Sequence, residues 1–108
     1  MTDLRDNIKG GALTETTLLV LLALHRSNHG YGIMKFIESS TKGRVVLGAG
    51  TLYGAIQALE KKKWIVLNSK DEAQNKKKEY IITELGQQKV KEELQRMEEI
   101  QQLALSII

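Results

Sequence analysis

The side chains best suited to chemistry in this sequence are lysines and hydrogen-bonding groups, and they do not form a catalytic set. Cysteine is absent and only two histidines occur, which excludes disulfides, cysteine nucleophiles and thiolate metal sites. No GxSxG, HExxH or GxxxxGK motif is present. His25 and His29 have no carboxylate or cysteine at metal-ligand spacing, which favours a capping or surface role. The sequence therefore predicts no enzyme, no metal site and no cofactor.

Two runs of three lysines carry the densest positive charge. Lys61, Lys62 and Lys63 are placed at the end of a predicted helix, where lysine also interacts favourably with the helix dipole, so a structural role competes with a binding role. The second run comprises Lys76, Lys77 and Lys78. It lies where a polar loop enters a strand, and because strand side chains alternate between faces, one or two of these lysines can reach a phosphate. The alternative for this run is a solvated loop tip.

Charge is unevenly distributed along the 108 residues, whose formal net charge is +3. Residues 1–43 carry five basic and four acidic groups, residues 44–81 carry eight and four, and residues 82–108 carry three and five. The total permits nucleic-acid binding without requiring it. The local net charge of +4 in residues 44–81 is the more informative value.

Hydrophobic spacing places the first elements that would position these side chains. The threonines of residues 14–17 offer hydroxyl caps for a helix. The leucines of residues 18–24 cover most of its circumference, so this helix should be central to the core. A second helix of about three turns should follow Gly30. Residues 44–47 are short and β-branched, which predicts a single strand. A third helix is expected to begin near Thr51.

The third helix has an apolar face and a polar face. The apolar face is formed by Leu52, Ile56 and Leu59. The opposite face carries Tyr53, Gly54, Gln57 and Lys61. Thr51 can cap the helix, contact an anion at its N-terminus, or do both. The Gln57 amide can read an adenine through two hydrogen bonds, and plain solvent exposure is the alternative.

The second half of the chain predicts a hairpin and a long helix. Residues 65–69 and 78–83 are typical of two strands, separated by a polar tip. Thr83 can cap a last helix from Glu84 towards Ile107, roughly 36 Å long. Apolar residues repeat along it by threes and fours, namely Val90, Leu94, Met97, Ile100, Leu103, Ala104 and Ile107.

The apolar row of the last helix predicts a second subunit. Seven such side chains left in water would each forgo about 1.5 to 3 kcal/mol. Their sum is comparable with the whole stability of a typical domain, about 5 to 15 kcal/mol. Because residues 103–108 project too far to be covered by one small domain, we expect this row to form a dimer interface. Leu4 and Ile8 of an amphipathic N-terminal arm are expected to join the same interface.

The order helix, helix, strand, helix and hairpin is that of a winged helix-turn-helix. Residues 17–86 resemble the PadR family of bacterial transcriptional regulators. Four motifs carry the resemblance, namely HGYGI at 29–33, GTLY at 50–53, LEKKKWI at 59–65 and KEYIITELG at 78–86. The expected fold is therefore mainly α with a small β-hairpin, comprising an arm (1–13), a winged-helix domain (14–83) and a C-terminal dimerisation helix (84–108).

The resemblance implies a homodimer that binds a pseudo-palindromic DNA operator, most simply as a repressor. The two recognition helices would enter successive major grooves, and the wings would touch flanking phosphates or the minor groove. Tyr31 and Lys35 share one face of the second helix. In this fold that helix crosses the DNA backbone, so the two side chains can contact it; packing against the turn and ordinary solvation are the alternatives. The residues expected to contact DNA are Tyr31, Lys35, Thr51, Tyr53, Gln57, Lys76, Lys77 and Lys78. A winged-helix module that binds proteins, with weak or no DNA affinity, is the alternative.

The sequence departs from the family pattern at several positions. Gly48 and Ala49 stand where Ser-Pro is common, which should leave the start of the third helix less fixed. Ala58 and Glu79 stand where an arginine and an aromatic residue are usual. Some family members sense planar apolar compounds between subunits through aromatic side chains. The last helix here has no aromatic residue, so a small apolar effector beside Met97 and a dry dimer contact are both open.

The sequence contains no obvious membrane or secretion signal. The longest purely apolar run, at residues 18–24, has seven residues, whereas roughly 20 are needed to cross a bilayer. The N-terminal residues do not resemble a secretory signal. The expected location is the cytoplasm.

Overall fold

The computed structural model describes residues 11–68 and 78–108 of the chain. Within these residues four helices and three short strands follow one another. Their bounds are α1 (Glu15–Ala23), β1 (Asn28–His29), α2 (Gly30–Ser40), α3 (Ala49–Lys61), β2 (Ile65–Leu67), β3 (Glu79–Ile82) and α4 (Glu84–Ile107). The predicted polar tip of the hairpin (70–77) lies outside the described residues, as do Leu4 and Ile8 of the predicted arm.

The three strands form an antiparallel sheet in the order β1-β3-β2. The predicted hairpin is confirmed, since Ile65 pairs with Ile82 and Leu67 pairs with Tyr80. Strand β1 is an addition to the prediction, with Asn28 opposite Tyr80. Next to it, the backbone N–H of Ile82 donates to the carbonyl of Leu24 at 2.8 Å. Both edges of β3 are therefore occupied.

The strand predicted at residues 44–47 is wrong, because this segment is an irregular connection between α2 and α3. Its backbone hydrogen bonds are local: Arg44 N donates to the Thr41 carbonyl and Val45 N donates to Thr41 Oγ1, both at 3.1 Å. The alternation of side chains is nevertheless present. Val45 and Leu47 pack against the core, whereas Val46 is exposed. The alternation in the sequence therefore reflects the buried side of a loop that does not pair with the sheet.

The helices begin where local capping groups allow it. Thr83 Oγ1 accepts from Gly86 N at 3.1 Å, which confirms the predicted cap of α4. Among the threonines of residues 14–17, Thr14 is the cap of α1, since its Oγ1 accepts from Thr17 N at 3.2 Å. Helix α3 begins at Ala49, two residues before the predicted start, because Gly48 is extended (φ −79°, ψ 162°) and takes the cap position without a side-chain hydrogen bond. Thr51 consequently lies inside the first turn, so a capping role for Thr51 is wrong.

The core lies between α1, the inner faces of α2 and α3, the sheet and the first part of α4. The expected central position of α1 is confirmed by its contacts with α2, α3 and α4. Trp64 is partly buried against the core. The buried apolar residues include Leu18, Val20, Leu21, Leu24, Ile33, Ile37, Leu52, Ile56, Leu59, Ile65, Tyr80, Ile82 and Val90.

This arrangement is a winged helix-turn-helix followed by a long helix, as the sequence predicts. Helix α4 has the predicted bounds and runs for 24 residues, about 36 Å. It gives the molecule its elongated shape of 56 × 29 × 29 Å. In the described part of the chain, no helix combines the length and apolar character that a membrane span requires.

Candidate nucleic-acid interface

One face of helix α3 is packed into the core, and the opposite face, called the free face below, is exposed to solvent. Leu52, Ile56 and Leu59 are buried in the core, which confirms the predicted phase of the helix. The outward face is exposed and consists of Gly50, Thr51, Tyr53, Gly54, Gln57, Ala58 and Lys61. Each apolar residue on the inner face fixes the rotation of the helix about its own axis. The outward residues are therefore held at defined positions even though they pack against little.

Tyr53 is half-exposed and lies against the start of α2. Its side chain is 47% exposed. A Cβ built on Gly30 would overlap the Tyr53 hydroxyl and the adjoining ring carbon. The ring thus occupies space that only glycine leaves open, and it joins α3 to the first turn of α2. The sequence places Tyr53 opposite the core but does not reveal this contact.

The residues just before α2 cap its first turn and pack against it. His29 Nδ1 accepts from the backbone N–H of Gly32 at 3.1 Å, which confirms a capping role for this histidine. Asn28 Oδ1 accepts from His29 N at 2.9 Å, and a Cβ on Gly32 would overlap the Asn28 amide. Sequence reasoning missed the role of Asn28, Gly30 and Gly32 in this packing. The closely spaced glycines of HGYGI were the available signal.

Tyr31 and Lys35 lie together on the exposed side of α2. Lys35 Nζ is 5.5 Å from the centre of the Tyr31 ring, within cation–π range. Tyr31 is 58% exposed. The predicted neighbourhood of the two side chains is confirmed, and their contact with DNA stays a prediction.

The lysines of the first run differ in their surroundings. Lys61 is exposed in the last turn of α3, and Lys62 Nζ lies 4.7 Å from the centre of the Trp64 ring. Lys63 has a left-handed backbone (φ 64°), which ends the helix. Lys62 and Lys63 therefore have structural roles, which supports the structural interpretation of this run. In the second run, Lys78 is exposed just before β3, and Lys76 and Lys77 lie outside the described residues.

The connection that leads into α3 is fastened to α1 by an ion pair. Arg44 Nη1 donates to Glu15 Oε1 at 3.1 Å, and Nη2 donates to the other carboxylate oxygen. These hydrogen bonds lower the pKa of Glu15 from its ordinary value. The pair is exposed to solvent, so its energetic contribution is small.

The outer half of α4 displays apolar side chains. Val90, predicted for a subunit interface, is instead buried in the core of its own chain. From Leu94 onward the predicted residues are exposed, with exposure rising to 73% at Ile107. The exposed members of the predicted row are Leu94, Met97, Ile100, Leu103, Ala104 and Ile107.

Comparison with known proteins gives consistent matches. The family model described as the transcriptional regulator PadR-like family matches residues 18–92. The transcriptional regulator YqjI of Escherichia coli is 30% identical over 89 residues, which cover 82% of this chain and 42% of that protein. The chain therefore spans less than half the length of this curated relative.

Solved structures show the same fold over nearly the whole chain. A transcriptional regulator from Clostridium thermocellum is 25% identical, with a TM-score of 0.67 and coverage of 95% of this chain and 98% of that one. A PadR family transcription regulator from Clostridium difficile is 22% identical, with a TM-score of 0.72 and coverage of 87% and 98%.

Proposed function

Because the chain belongs to the PadR-like family of transcriptional regulators, we propose that it binds operator DNA as a homodimer and represses transcription. The observation that carries the proposal is the free face of α3. Thr51 and Gln57 point to solvent from a helix whose opposite face is locked into the core. A recognition helix has this arrangement, because its outward side chains must reach base edges in the major groove.

The surroundings of α3 supply contacts that would position it on the duplex. Three exposed side chains lie on the two helices of the helix-turn-helix, namely Tyr31 and Lys35 on α2 and Tyr53 on α3. The DNA backbone passes these helices when a helix-turn-helix binds. Lys76, Lys77 and Lys78 would contact flanking phosphates from the wing. Contacts to phosphates fix the position and orientation of the protein on the duplex, but they do not select a base sequence. The net charge of +4 on residues 44–81 favours the displacement of counterions from the phosphates.

The dimer would form through α4. Ile100 and Leu103 are 53% and 60% exposed in the single chain, and a second copy would remove these and their apolar neighbours from water. Leu4 and Ile8 of the proposed arm (1–13) would add to this interface. The two copies of the dimerisation helix (84–108) would be related by a two-fold axis. The same axis would relate the two proposed winged-helix units (14–83). A dimer with two-fold symmetry binds a pseudo-palindromic site, whose half-sites are about one or two DNA turns apart.

The proposal is tested by selecting bound fragments from the source genome and placing one upstream of a reporter. We expect enriched fragments that share a pseudo-palindrome, and lower reporter expression when the protein is present. Changing Lys76, Lys77 and Lys78 to alanine should abolish enrichment and leave dimerisation intact. Lys91→Ala on α4 is the charge control and should retain enrichment. If no fragment is enriched, the protein-binding module becomes the better account.

An effector belongs to the same hypothesis. A small apolar compound between the subunits would contact Met97, whose side chain is 46% exposed on α4 and adapts readily to irregular shapes. Release of the selected DNA by such a compound would support this prediction.

A further inference from the structure

Helix α3, the proposed recognition helix, has few side chains that can reach a base. Successive residues turn by about 100°, so Gly50, Gly54 and Lys61 point within about 30° of the direction opposite the buried face. Gln57 and Ala58 flank them at about 50° on either side. A Cβ built on Gly50 or Gly54 would meet no atom of the described chain within 4 Å. In the first two turns of α3 the centre of the outward face is therefore bare backbone.

The polar residues around this bare centre are not equivalent. Tyr53 lies about 90° from the outward direction, with its hydroxyl against Gly30. Thr51 lies about 70° away and carries a short side chain. Lys61 points outward, but it is in the last turn of α3, about 6 Å further along the axis than Gln57. The Lys61 ammonium has donors only, so it cannot pair with both the donor N6 and the acceptor N7 of an adenine.

Gln57, in the third turn of α3, is the polar side chain that lies nearest to the two outward glycines. It is exposed, and its side chain makes no hydrogen bond to another described residue. Its amide carries both donors and an acceptor, the pattern that pairs with N6 and N7 of adenine in the major groove. Glycine on the neighbouring outward positions lets the helix backbone approach the bases closely, which shortens the distance that the Gln57 amide must span.

We propose that Gln57 is the specificity-determining residue of this protein and that it reads one adenine in each half-site. The inference rests on the proposed function, because it needs the free face of α3 to enter the major groove. The glycines on the outward face of α3 let the helix backbone come close to the bases, but they do not distinguish one base from another. The bound consensus should therefore contain one sharply specified A·T pair per half-site under α3.

The test is selection from a random DNA library by wild-type protein and by variants at one position. With Gln57→Ala, we expect preference for that adenine to disappear and affinity for the selected site to fall roughly 5- to 150-fold, with affinity for random DNA unchanged. With Gln57→Glu, the carboxylate can accept from N4 of cytosine, so a cytosine should replace the adenine in a weaker consensus. Glu60→Ala, a truncation of another exposed residue of α3, is the control and should retain the wild-type consensus.

The outcomes separate this inference from the function on which it rests. If Gln57→Ala selects the wild-type consensus with unchanged discrimination, the inference is wrong and DNA binding stands. A uniform loss of affinity for all sequences would assign Gln57 to the phosphate backbone and also overturn it. If the wild-type protein selects no sequence, the proposed function and the inference both fail. Thermal melting of each variant shows whether the fold is retained.

Discussion

Arg96 donates two hydrogen bonds to the carboxylate of Glu93, from Nε to Oε1 at 3.0 Å and from Nη2 to Oε2 at 2.6 Å. Glu93 is the one charged residue that the described chain buries, at 5% exposure. The bonds from Arg96 lower the pKa of Glu93 against the opposing effect of burial, and a bond from the backbone of Leu13 acts in the same direction as Arg96. This carboxylate ties the segment before α1 to the middle of α4.

Glu93→Gln is predicted to destabilise the protein in a pH-dependent way. Because the folded pKa lies below the unfolded value of about 4.3, the ionised group stabilises the fold above that value, and the contribution is lost as pH falls through the folded pKa. We expect the free energy of unfolding to drop by about 1.5 kcal/mol at pH 7, with a smaller difference from wild type at pH 3. Urea denaturation across this range measures both effects.

The control for this prediction is Glu98→Gln, a change to an exposed glutamate of the same helix. It should leave the free energy of unfolding at pH 7 unchanged. If Glu93→Gln behaves like this control, the buried carboxylate does not stabilise the fold as described.

Replacing Gly48 and Ala49 by Ser-Pro is predicted to stabilise the start of α3. Gly48 has the extended backbone that precedes proline, and its cap position lacks a side-chain hydrogen bond. Proline at the first helical position has the right φ and restricts the unfolded chain, so the pair should add about 1 kcal/mol. Thermal unfolding should shift upward by about 4–8 °C for each kcal/mol in a domain of this size.

A matched glycine substitution in the preceding turn should act in the opposite direction. Gly43 also has open space around it, but its φ is 81°, a conformation that an L side chain adopts only with strain. Gly43→Ala should therefore lower the melting temperature. A gain there would contradict the backbone account of both sites.

Two helical glycines are predicted to respond to alanine with opposite signs. Gly54 is exposed inside α3 with open space around it, so Gly54→Ala should stabilise by about 1 kcal/mol through helix propensity. At Gly86 a Cβ would overlap the carbonyl oxygen of Trp64. That oxygen also accepts from Thr83 N at 2.9 Å, so it cannot yield freely, and Gly86→Ala should cost roughly 1 to 3 kcal/mol. Chemical denaturation of the pair would refute this account if both changes had the same sign.

Ile100→Glu is predicted to prevent dimerisation. Ile100 is 53% exposed in the single chain, so the change should leave the subunit folded while placing a charge in the proposed interface. We expect the monomer mass in sedimentation or light scattering, together with weaker operator binding. Gln102→Glu adds the same charge on the opposite face of α4 and should remain dimeric. Equal behaviour of the two variants would exclude this face as the interface.

Local sequence signals predicted the helices well, because caps and apolar periodicity act within a few residues. Thr83 Oγ1 and the apolar spacing after it gave both bounds of α4. The start of α3 was placed two residues late because Gly48 caps through its backbone conformation alone. A glycine without a side-chain hydrogen bond leaves no clear cap signal in the sequence.

Strands and contacts between helices were less predictable because they depend on distant partners. Asn28 and His29 have no strong β preference, and they form β1 because β3 offers them a free edge. Residues 44–47 have the stronger preference but do not pair with any of the three described strands. The position of the Tyr53 ring on Gly30 is likewise a tertiary contact between two helices, which helical phase alone does not specify.

The most direct test of DNA binding by the dimer is the salt dependence of its affinity for a selected operator fragment, measured by fluorescence anisotropy. With on the order of eight phosphates neutralised per dimer, the logarithm of the association constant should fall against the logarithm of salt concentration with a slope of about −7. Lys78→Ala alone, which removes one of the proposed phosphate contacts per subunit and leaves the others, should bind with a shallower slope. A wild-type slope near zero would contradict the account.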